Sequence, residues 1–243
     1  MSTEVDTAVG PAERVHGLGW DQLTGELNEL GCALTEPVLS PAECAEIAAL
    51  YADDDLFRAT IDMAPRRFGQ GEYRYFADPV PAMIGALRAA FWPHLLPVAR
   101  DCAAKLGRPA PWPDEFSAWL GQCHAAGQRR PTPLLLSYGP GDWNALHQDL
   151  YGELYFPLQV VVGLDAPGTD HVGGAFLLVE QRPRAQSRGT VTTLGQGQAL
   201  IFTTSERPVP SRRGWSASPV RHGVSVLRSG KRRTLGLVLH DAR

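Results

Sequence analysis

The sequence predicts an α+β fold in which a helix-rich front half precedes a β-sandwich or barrel. Apolar residues recur at helical spacing before Gly31 and again after Ser40. After Pro131 the pattern changes to short β-branched and apolar runs punctuated by glycine, which is typical of sandwiches and barrels. Helices segregated ahead of strands define the α+β class.

The composition indicates a globular protein with its own core. The chain has 243 residues, 44% of them hydrophobic and 20% charged, and its net charge is −3. These values exclude disordered, collagen-like and strongly polyanionic chains. We expect a flexible tail over residues 1–19 and one domain over 20–243, divided into a helix-rich support region (20–130) and a β-rich core (131–243).

Targeting signals and disulfides are not expected. The N-terminus MSTEVDTAVG is acidic, and we find no apolar run that approaches the length of a membrane span. Cys32, Cys44, Cys102 and Cys123 form no C-x-x-C pair, so we interpret them as reduced packing residues. A cytoplasmic location is the expectation.

The front half contains four candidate helices. Residues 20–30 carry apolar side chains at helical spacing and stop at Gly31. Ser40, Pro41 and Glu43 supply an N-cap, a first-turn proline and a capping-box glutamate for a helix that continues to about Leu50.

The other two candidate helices cover residues 80–106 and 114–126. The first of them contains Pro93 and Pro97, which remove backbone donors and are expected to break or kink it.

The back half contains the runs that favour strands. They cover residues 133–138, 155–164, 174–180, 190–194, 198–203, 219–227 and 232–240.

Charge is distributed unevenly along the chain. Residues 1–180 carry 11 Lys and Arg against 24 Asp and Glu, whereas residues 181–233 carry 11 basic residues against one acidic residue. The basic segment fits a polyanion or acidic partner, or the lining of an anion site, and a solvated face explains it equally well.

Two histidines and an aspartate form the candidate reactive centre. His147 and Asp149 lie two residues apart, so a strand would present both on one face. His222 lies in a later apolar run. Two imidazoles and one carboxylate make up the facial triad of non-haem Fe(II) oxygenases, which leaves coordination positions open.

A β-hairpin over 219–240 would place an anion site next to this triad. With a three-residue loop at 228–230 and Gly230 left-handed, His222 pairs with Gly236 and shares a face with Arg232 and Thr234. Arg232 is then roughly 13 Å from Gly236 along the strand, which suits a five-carbon diacid held by a guanidinium fork. The opposite face presents an apolar stripe for the helices to cover, formed by Leu235, Leu237 and Leu239.

Taken together, these motifs resemble the 2-oxoglutarate/Fe(II)-dependent dioxygenases, and in particular those with the prolyl-hydroxylase-like motif order. The matching elements are Tyr138-x-x-Gly141, His147-x-Asp149, Gly173-Gly174, His222 and Gly230-x-Arg232-x-Thr234. The resemblance covers residues 131–243 and implies a double-stranded β-helix (jelly-roll) core. The stretch from HQDLYGE to RHGVSVLRSGKRRTLG further resembles bacterial oxygenases grouped with nucleic-acid-modifying enzymes.

The resemblance also implies the cofactors and the reaction. His147, Asp149 and His222 would bind Fe(II), while Arg232, Thr234 and Tyr138 would bind the cosubstrate 2-oxoglutarate. With O2 as the second cosubstrate, the enzyme would hydroxylate or oxidatively demethylate its substrate and release succinate and CO2.

The substrate is left open by the sequence. The basic segment favours a nucleic-acid base, and the alternatives are a protein side chain such as proline, a small molecule, or a non-catalytic binding module with structural histidines. Trp143 and Asn144 are candidates for the substrate entrance, and Arg182 and Arg184 are candidates for gripping its anionic groups. His171 and His240 are interpreted as a loop residue and as a structural or exposed residue.

Overall fold

The computed structural model of the protein describes residues 8–182 and 185–243. Within them the helices are α1 (Pro11–His16), α2 (Trp20–Leu30), α3 (Pro41–Ala49), α4 (Ala82–Lys105) and α5 (Phe116–Ala125). The strands are β1 (Cys32–Pro37), β2 (Phe57–Asp62), β3 (Gly69–Gln70), β4 (Glu72–Phe76), β5 (Leu134–Tyr138), β6 (Trp143–His147), β7 (Leu158–Gly163), β8 (His171–Gly173), β9 (Phe176–Glu180), β10 (Arg188–Thr192), β11 (Gln198–Thr203), β12 (Glu206–Ser211), β13 (Gly214–Val224), β14 (Leu227–Gly230) and β15 (Arg232–Val238).

Two antiparallel sheets face each other as a jelly roll. The larger sheet has the strand order β1-β11-β7-β15-β5-β4-β2, and the smaller has β10-β9-β13-β6-β3. Strand β12 pairs with β13, and β14 pairs with β8. The predicted α+β class is confirmed, but the front half also contributes β1–β4, which extend both sheets and were not predicted.

The helices cover the outer face of the larger sheet. The predicted stripe of Leu235, Leu237 and Leu239 is completely buried and belongs to one cluster with helical residues such as Leu87 and Phe91. A second cluster fills the space between the sheets and includes Val161, Phe176, Leu178 and Phe202. Alternating residues of β7 therefore serve two cores, which explains why that strand is buried throughout.

The predicted signals for the beginning and end of the early helices are confirmed. Helix α2 ends at Gly31, which is left-handed with φ +79. Helix α3 begins with a complete capping box, in which Ser40 and Glu43 exchange side-chain and backbone hydrogen bonds.

The expected flexible tail is wrong over α1. Val15 is fully buried, and Arg14 Nε donates to the Val38 carbonyl at 2.9 Å. Apolar burial and this anchor fix a segment whose composition alone suggested disorder. Residues 1–7 of the expected tail lie outside the described part of the chain.

Of the break or kink expected in α4, the break is wrong. The helix continues through Pro93 and Pro97 for 24 residues, because its packing against the sheet offsets the two lost hydrogen bonds. By length and composition this helix could cross a membrane. Its buried side chains, among them Ile84, Leu87 and Phe91, instead belong to the main core.

The predicted hairpin between His222 and Gly236 is wrong. Strand β13, which carries His222, pairs with β6 and β9 in the smaller sheet. Strand β15, which carries Arg232, pairs with β5 and β7 in the larger sheet. Gly230 has the predicted positive φ of +79, but the chain there crosses from one sheet to the other. The alternation of side chains is the same for both arrangements, so the sequence pattern did not distinguish them.

Candidate metal centre

Three potential metal ligands converge between the sheets. His147 Nε2 lies 3.6 Å from Asp149 Oδ1, and His222 Nε2 lies 3.2 Å from Asp149 Oδ2. One donor atom from each residue falls within 4.8 Å of the other two. This set of two imidazole nitrogens and one carboxylate oxygen is the ligand set of non-haem Fe(II) enzymes.

A β-bulge brings His147 and Asn144 to the same side of β6. His222 on β13 is opposite His147, whereas Val224 is opposite Asn144. Three steps along β6 therefore match two steps along β13, which is one extra residue on β6. Both His147 and Asn144 therefore line the cavity between the sheets. Bulges next to active sites commonly redirect side chains in this way.

The hydrogen bond of His147 sets its tautomer. Its Nδ1 lies 2.7 Å from the Ala145 carbonyl oxygen. A carbonyl can only accept, so Nδ1 donates this bond and Nε2 is the ring nitrogen that faces Asp149. This is the arrangement that a metal-ligating imidazole requires.

Asp149 is held by neighbours on both oxygens. Tyr151 Oη donates to Asp149 Oδ1 at 2.6 Å, and Tyr75 Oη in turn donates to Tyr151 Oη at 3.0 Å. Burial alone would raise the pKa of Asp149, but the hydrogen bond and charge of His222, together with His147 and Tyr151, hold that pKa below its usual range. The group is therefore a carboxylate in the folded protein.

Two phenylalanine rings pack against the imidazole of His222. Phe176 stacks on its ring at 5.8 Å, and Phe202 approaches to 4.7 Å between ring centroids. Burial lowers the pKa of His222, although Asp149 partly opposes the shift. Its Nδ1 is buried without a hydrogen-bond partner among the described residues. Burial thus disfavours the protonated ring, and the neutral imidazole is the form of histidine that binds a metal.

Arg232 faces the triad across the cavity from the other sheet. Its side chain is 3% exposed, and its Nη1 has no hydrogen-bond partner within the described part of the chain. The guanidinium carbon lies 5.5 Å from the Tyr138 ring centroid, and Thr234 lines the same cavity. Burial lowers the pKa of Arg232. A buried guanidinium with an unused donor is suited to a carboxylate ligand.

The second glycine of the Gly173-Gly174 pair makes room for Arg232. Gly174 has φ +69, and a Cβ there would lie 2.7 Å from Arg232 Cδ and 2.9 Å from Leu227 Cδ1. A side chain at position 174 would displace the guanidinium stem.

The cavity has a volume of about 350 Å³. It contains the triad and, on the larger sheet, Tyr138, Arg232 and Thr234. The predicted metal and cosubstrate residues are thus brought together, although from two facing sheets rather than from one hairpin.

The predicted substrate residues differ in their positions relative to the cavity. Asn144 lines the cavity and donates from Nδ2 to Tyr138 Oη at 3.3 Å. Trp143 is 39% exposed and does not line the cavity. Arg182 Nε donates to Glu180 at 2.5 Å, so this arginine has a structural partner instead of a free guanidinium. Arg184 lies outside the described residues.

The basic segment of the sequence is divided by the fold. Arg182, Arg188 and Arg207 surround the buried carboxylate of Glu180, and Arg233 pairs with Asp165. Within this segment, the exposed basic residues without an ion pair to a described carboxylate are Arg212, Arg213, Arg221, Arg228 and Lys231. The positive surface is therefore smaller than the sequence indicated.

The two histidines interpreted as a loop residue and as a structural or exposed residue are both buried. His171 lies on β8 rather than in a polar turn, and its Nδ1 is 3.2 Å from the Gly173 carbonyl oxygen. His240 is fully buried and accepts from the Phe156 amide at 3.3 Å. Neither is one of the three convergent ligands.

Sequence reasoning missed Tyr75 and Tyr151. Tyr151 follows Asp149 by two residues, and that spacing was a usable signal for a side chain beside the carboxylate. Tyr75 had no such signal, because it reaches the site from β4 in the front half.

Comparison with known proteins identifies the family. A family model described as "Oxygenase, catalysing oxidative methylation of damaged DNA" matches residues 71–242. The chain belongs to this oxygenase family. An uncharacterised protein of Mycobacterium tuberculosis strain H37Rv is 63% identical over 167 residues, which are 69% of this chain and 72% of the relative. The oxygenase family thus extends over most of the chain.

Solved structures of low sequence identity share the fold. A 2OG-Fe(II) oxygenase family oxidoreductase from Burkholderia pseudomallei aligns with TM-score 0.55 at 15% identity, over 92% of this oxygenase and 93% of that chain. A Trichoplax adhaerens prolyl hydroxylase in complex with a peptide aligns with TM-score 0.52 at 15% identity, over 98% of this oxygenase and 94% of that chain. These similarities confirm the double-stranded β-helix.

By its family the chain is an oxygenase, and therefore an oxidoreductase. Its side chains fit Fe(II) and 2-oxoglutarate. The convergent triad supplies the ligand set that Fe(II) requires, and the unused donor of buried Arg232 suits the free carboxylate of the cosubstrate.

Proposed function

We propose that this oxygenase hydroxylates or oxidatively demethylates a nucleic-acid base. In this proposal His147, Asp149 and His222 hold Fe(II), and Arg232, Thr234 and Tyr138 hold 2-oxoglutarate. The observation that carries the proposal is the cluster of three donor atoms facing the buried Arg232 across one cavity. This arrangement supports a site in which the metal, the cosubstrate and the reacting group of the substrate share one cavity.

Fe(II) held by His147, Asp149 and His222 would, with 2-oxoglutarate and O2, supply the oxidation of a C–H bond with release of succinate and CO2. One oxygen atom enters the substrate as a hydroxyl group and the other enters succinate. Where the oxidised carbon is an N-methyl group, the hydroxylated product releases formaldehyde.

The chain's own residues orient and shield the reacting groups. Arg232 fixes the far carboxylate of the cosubstrate through its planar fork. Tyr151 and Tyr75 fix the Asp149 carboxylate, and Phe176 and Phe202 exclude water from one side of His222. A dry, oriented site is the protein's contribution to such chemistry.

A nucleic-acid substrate is supported by the family description and by the exposed basic residues without carboxylate partners. Phosphate contacts dominate nucleic-acid affinity, and an enzyme that modifies a base takes that base into a pocket. The cavity volume of about 350 Å³ suits one small group rather than a folded partner.

Anaerobic titration with Fe(II) and 2-oxoglutarate tests the centre. We expect a metal-to-ligand charge-transfer band for the wild type and for His124→Ala, whose side chain is half-exposed and distant from the triad. His222→Ala should lose the band. A band that survives in His222→Ala would reject the assigned ligands.

Succinate release tests the substrate. Methylated DNA and RNA oligonucleotides, peptides and free amino acids are compared, with His222→Ala as the blank. We expect oligonucleotides to stimulate succinate release and their affinity to fall steeply with salt. Stimulation by peptides alone would replace the nucleic-acid proposal with protein hydroxylation.

A further inference from the structure

A short loop between β2 and β4 places an aromatic ring at the mouth of the cavity. This connection spans residues 63–71 and includes the two-residue strand β3; we name it the Phe68 loop. Phe68 lines the cavity and is nonetheless 46% exposed. Leu146, also cavity-lining, is 42% exposed beside it. A large apolar ring left open to solvent at a cavity mouth indicates a contact surface.

The Phe68 loop is fixed rather than loosely attached. The Phe68 carbonyl accepts from the Ala145 amide at 2.7 Å, two residues before His147. At Gly69, with φ +135, a Cβ would lie 2.2 Å from the Trp143 carbonyl oxygen. This close approach ties the loop to β6, the strand that carries His147.

Arg67 adds strain and charge at the same point. It is the one non-glycine residue with positive φ, +59, among residues 8–182 and 185–243. Such outliers persist where the surrounding structure enforces them and are concentrated at ligand-binding sites. Arg66 and Arg67 are both exposed, and neither forms an ion pair with a described carboxylate. Arg67 also lines the cavity.

Aromatic rings beside free cations are the usual means of binding single-stranded nucleic acid. Base stacking on the ring is tolerant of sequence, and the cations neutralise the backbone. An enzyme that modifies a base takes that base out of the stack and into its pocket, and this cavity of about 350 Å³ opens beside Phe68.

We infer that the Phe68 loop receives an unstacked nucleobase of a single-stranded segment, with Phe68 stacking on the base and Arg67 neutralising an adjacent phosphate. This inference rests on the proposed function, and it places the base-stacking contact in the front half, outside the basic segment of residues 181–233.

Binding of a short single-stranded oligodeoxynucleotide containing 2-aminopurine tests the inference. The full-length protein is loaded with Mn(II) and 2-oxoglutarate so that no turnover occurs. Fluorescence anisotropy of an end label reports affinity, and 2-aminopurine emission reports stacking. The matched aromatic control is Trp215→Ala, because Trp215 is 45% exposed but does not line the cavity.

Phe68→Ala should weaken binding roughly tenfold or more and abolish the quenching of 2-aminopurine emission, whereas Trp215→Ala should bind as the wild type does. Arg67→Gly keeps a backbone that tolerates positive φ and removes the charge. It should make the slope of log K against log salt shallower by about 0.7.

Each result decides a different claim. If the wild type binds the oligonucleotide and Phe68→Ala binds equally well, or Trp215→Ala loses as much affinity, the role of Phe68 is rejected while the proposed function stands. If the wild type shows no salt-dependent binding, the nucleic-acid function itself is rejected.

Discussion

Tyr151 Oη donates a hydrogen bond to Asp149 Oδ1 at 2.6 Å, and the two residues are separated by one position in the chain. Tyr75 Oη extends the chain of donors at 3.0 Å from Tyr151 Oη. The two hydrogen bonds are donated in the same direction, from Tyr75 to Tyr151 and from Tyr151 to the carboxylate. They fix the orientation of Asp149 before any metal is bound.

Replacement of Tyr151 by Phe should weaken metal binding. The change removes the hydroxyl and keeps the ring, so Asp149 loses its orienting donor, and partners of this kind are worth 10- to 100-fold in metal affinity. Mn(II) affinity measured by calorimetry without 2-oxoglutarate tests this. Tyr155→Phe is the matched control, since Tyr155 donates no hydrogen bond to Asp149. Equal affinities of the two variants would contradict the role of Tyr151.

Replacement of Arg232 by Lys should raise the KM for 2-oxoglutarate by about tenfold or more, because an ammonium cannot reproduce a bidentate guanidinium contact. The neighbouring Arg233 is the control: its guanidinium pairs with Asp165 at 2.5 Å. Arg233→Lys should therefore leave the KM near that of the wild type. Steady-state succinate formation gives both values, and an unchanged KM in Arg232→Lys would exclude the proposed contact.

Replacement of Gly174 by Ala should impair both stability and cosubstrate binding. The positive φ and the 2.7 Å approach to Arg232 Cδ together predict a loss of about 1–3 kcal/mol in the free energy of unfolding. Gly189→Ala is the control, because a Cβ there meets no atom within 4 Å. Chemical denaturation and 2-oxoglutarate titration measure the two effects. A Gly174→Ala protein with wild-type cosubstrate affinity would show that Arg232 tolerates the added methyl group.

Acid should destabilise the protein through His240. Burial is the main cause that lowers the pKa of His240 from 6.5 to about 4. Between pH 6.5 and about pH 4 the unfolded chain binds a proton at this histidine and the folded chain does not. The free energy of unfolding therefore falls as the pH falls. The full loss is about 3 kcal/mol.

The variant His240→Asn tests this contribution, because its Oδ1 can still accept from the Phe156 amide while the group no longer titrates. Denaturation curves from pH 7 to pH 5 should show a flatter dependence for the variant. Parallel curves for variant and wild type would assign the acid sensitivity to other groups.

The fold class could be predicted because its signals are local. The capping box at Ser40 and Glu43 and the left-handed stop at Gly31 depend on a few neighbouring residues. The stripe of Leu235, Leu237 and Leu239 follows from strand alternation alone. The course of α4 through Pro93 and Pro97 could not be predicted, since burial against the sheet outweighs the local penalty of proline.

The arginine-rich segment shows why charge counts do not identify a binding surface. In the sequence Arg182, Arg188 and Arg207 are separate members of that segment. In the fold they converge on the buried Glu180 carboxylate, because a buried charge must be paired. Arg67, which stands outside the segment, is an exposed arginine that lines the cavity.

The sequence by itself determined the types and order of the reactive side chains: His147, Asp149, His222, Arg232 and Thr234. Only the tertiary structure decided that His222 and Arg232 face each other from two sheets, and that Tyr75 supports Asp149 through Tyr151. The reason is physical. Alternation fixes which side of a strand a residue occupies, whereas the partner across the cavity depends on how distant strands pair and pack.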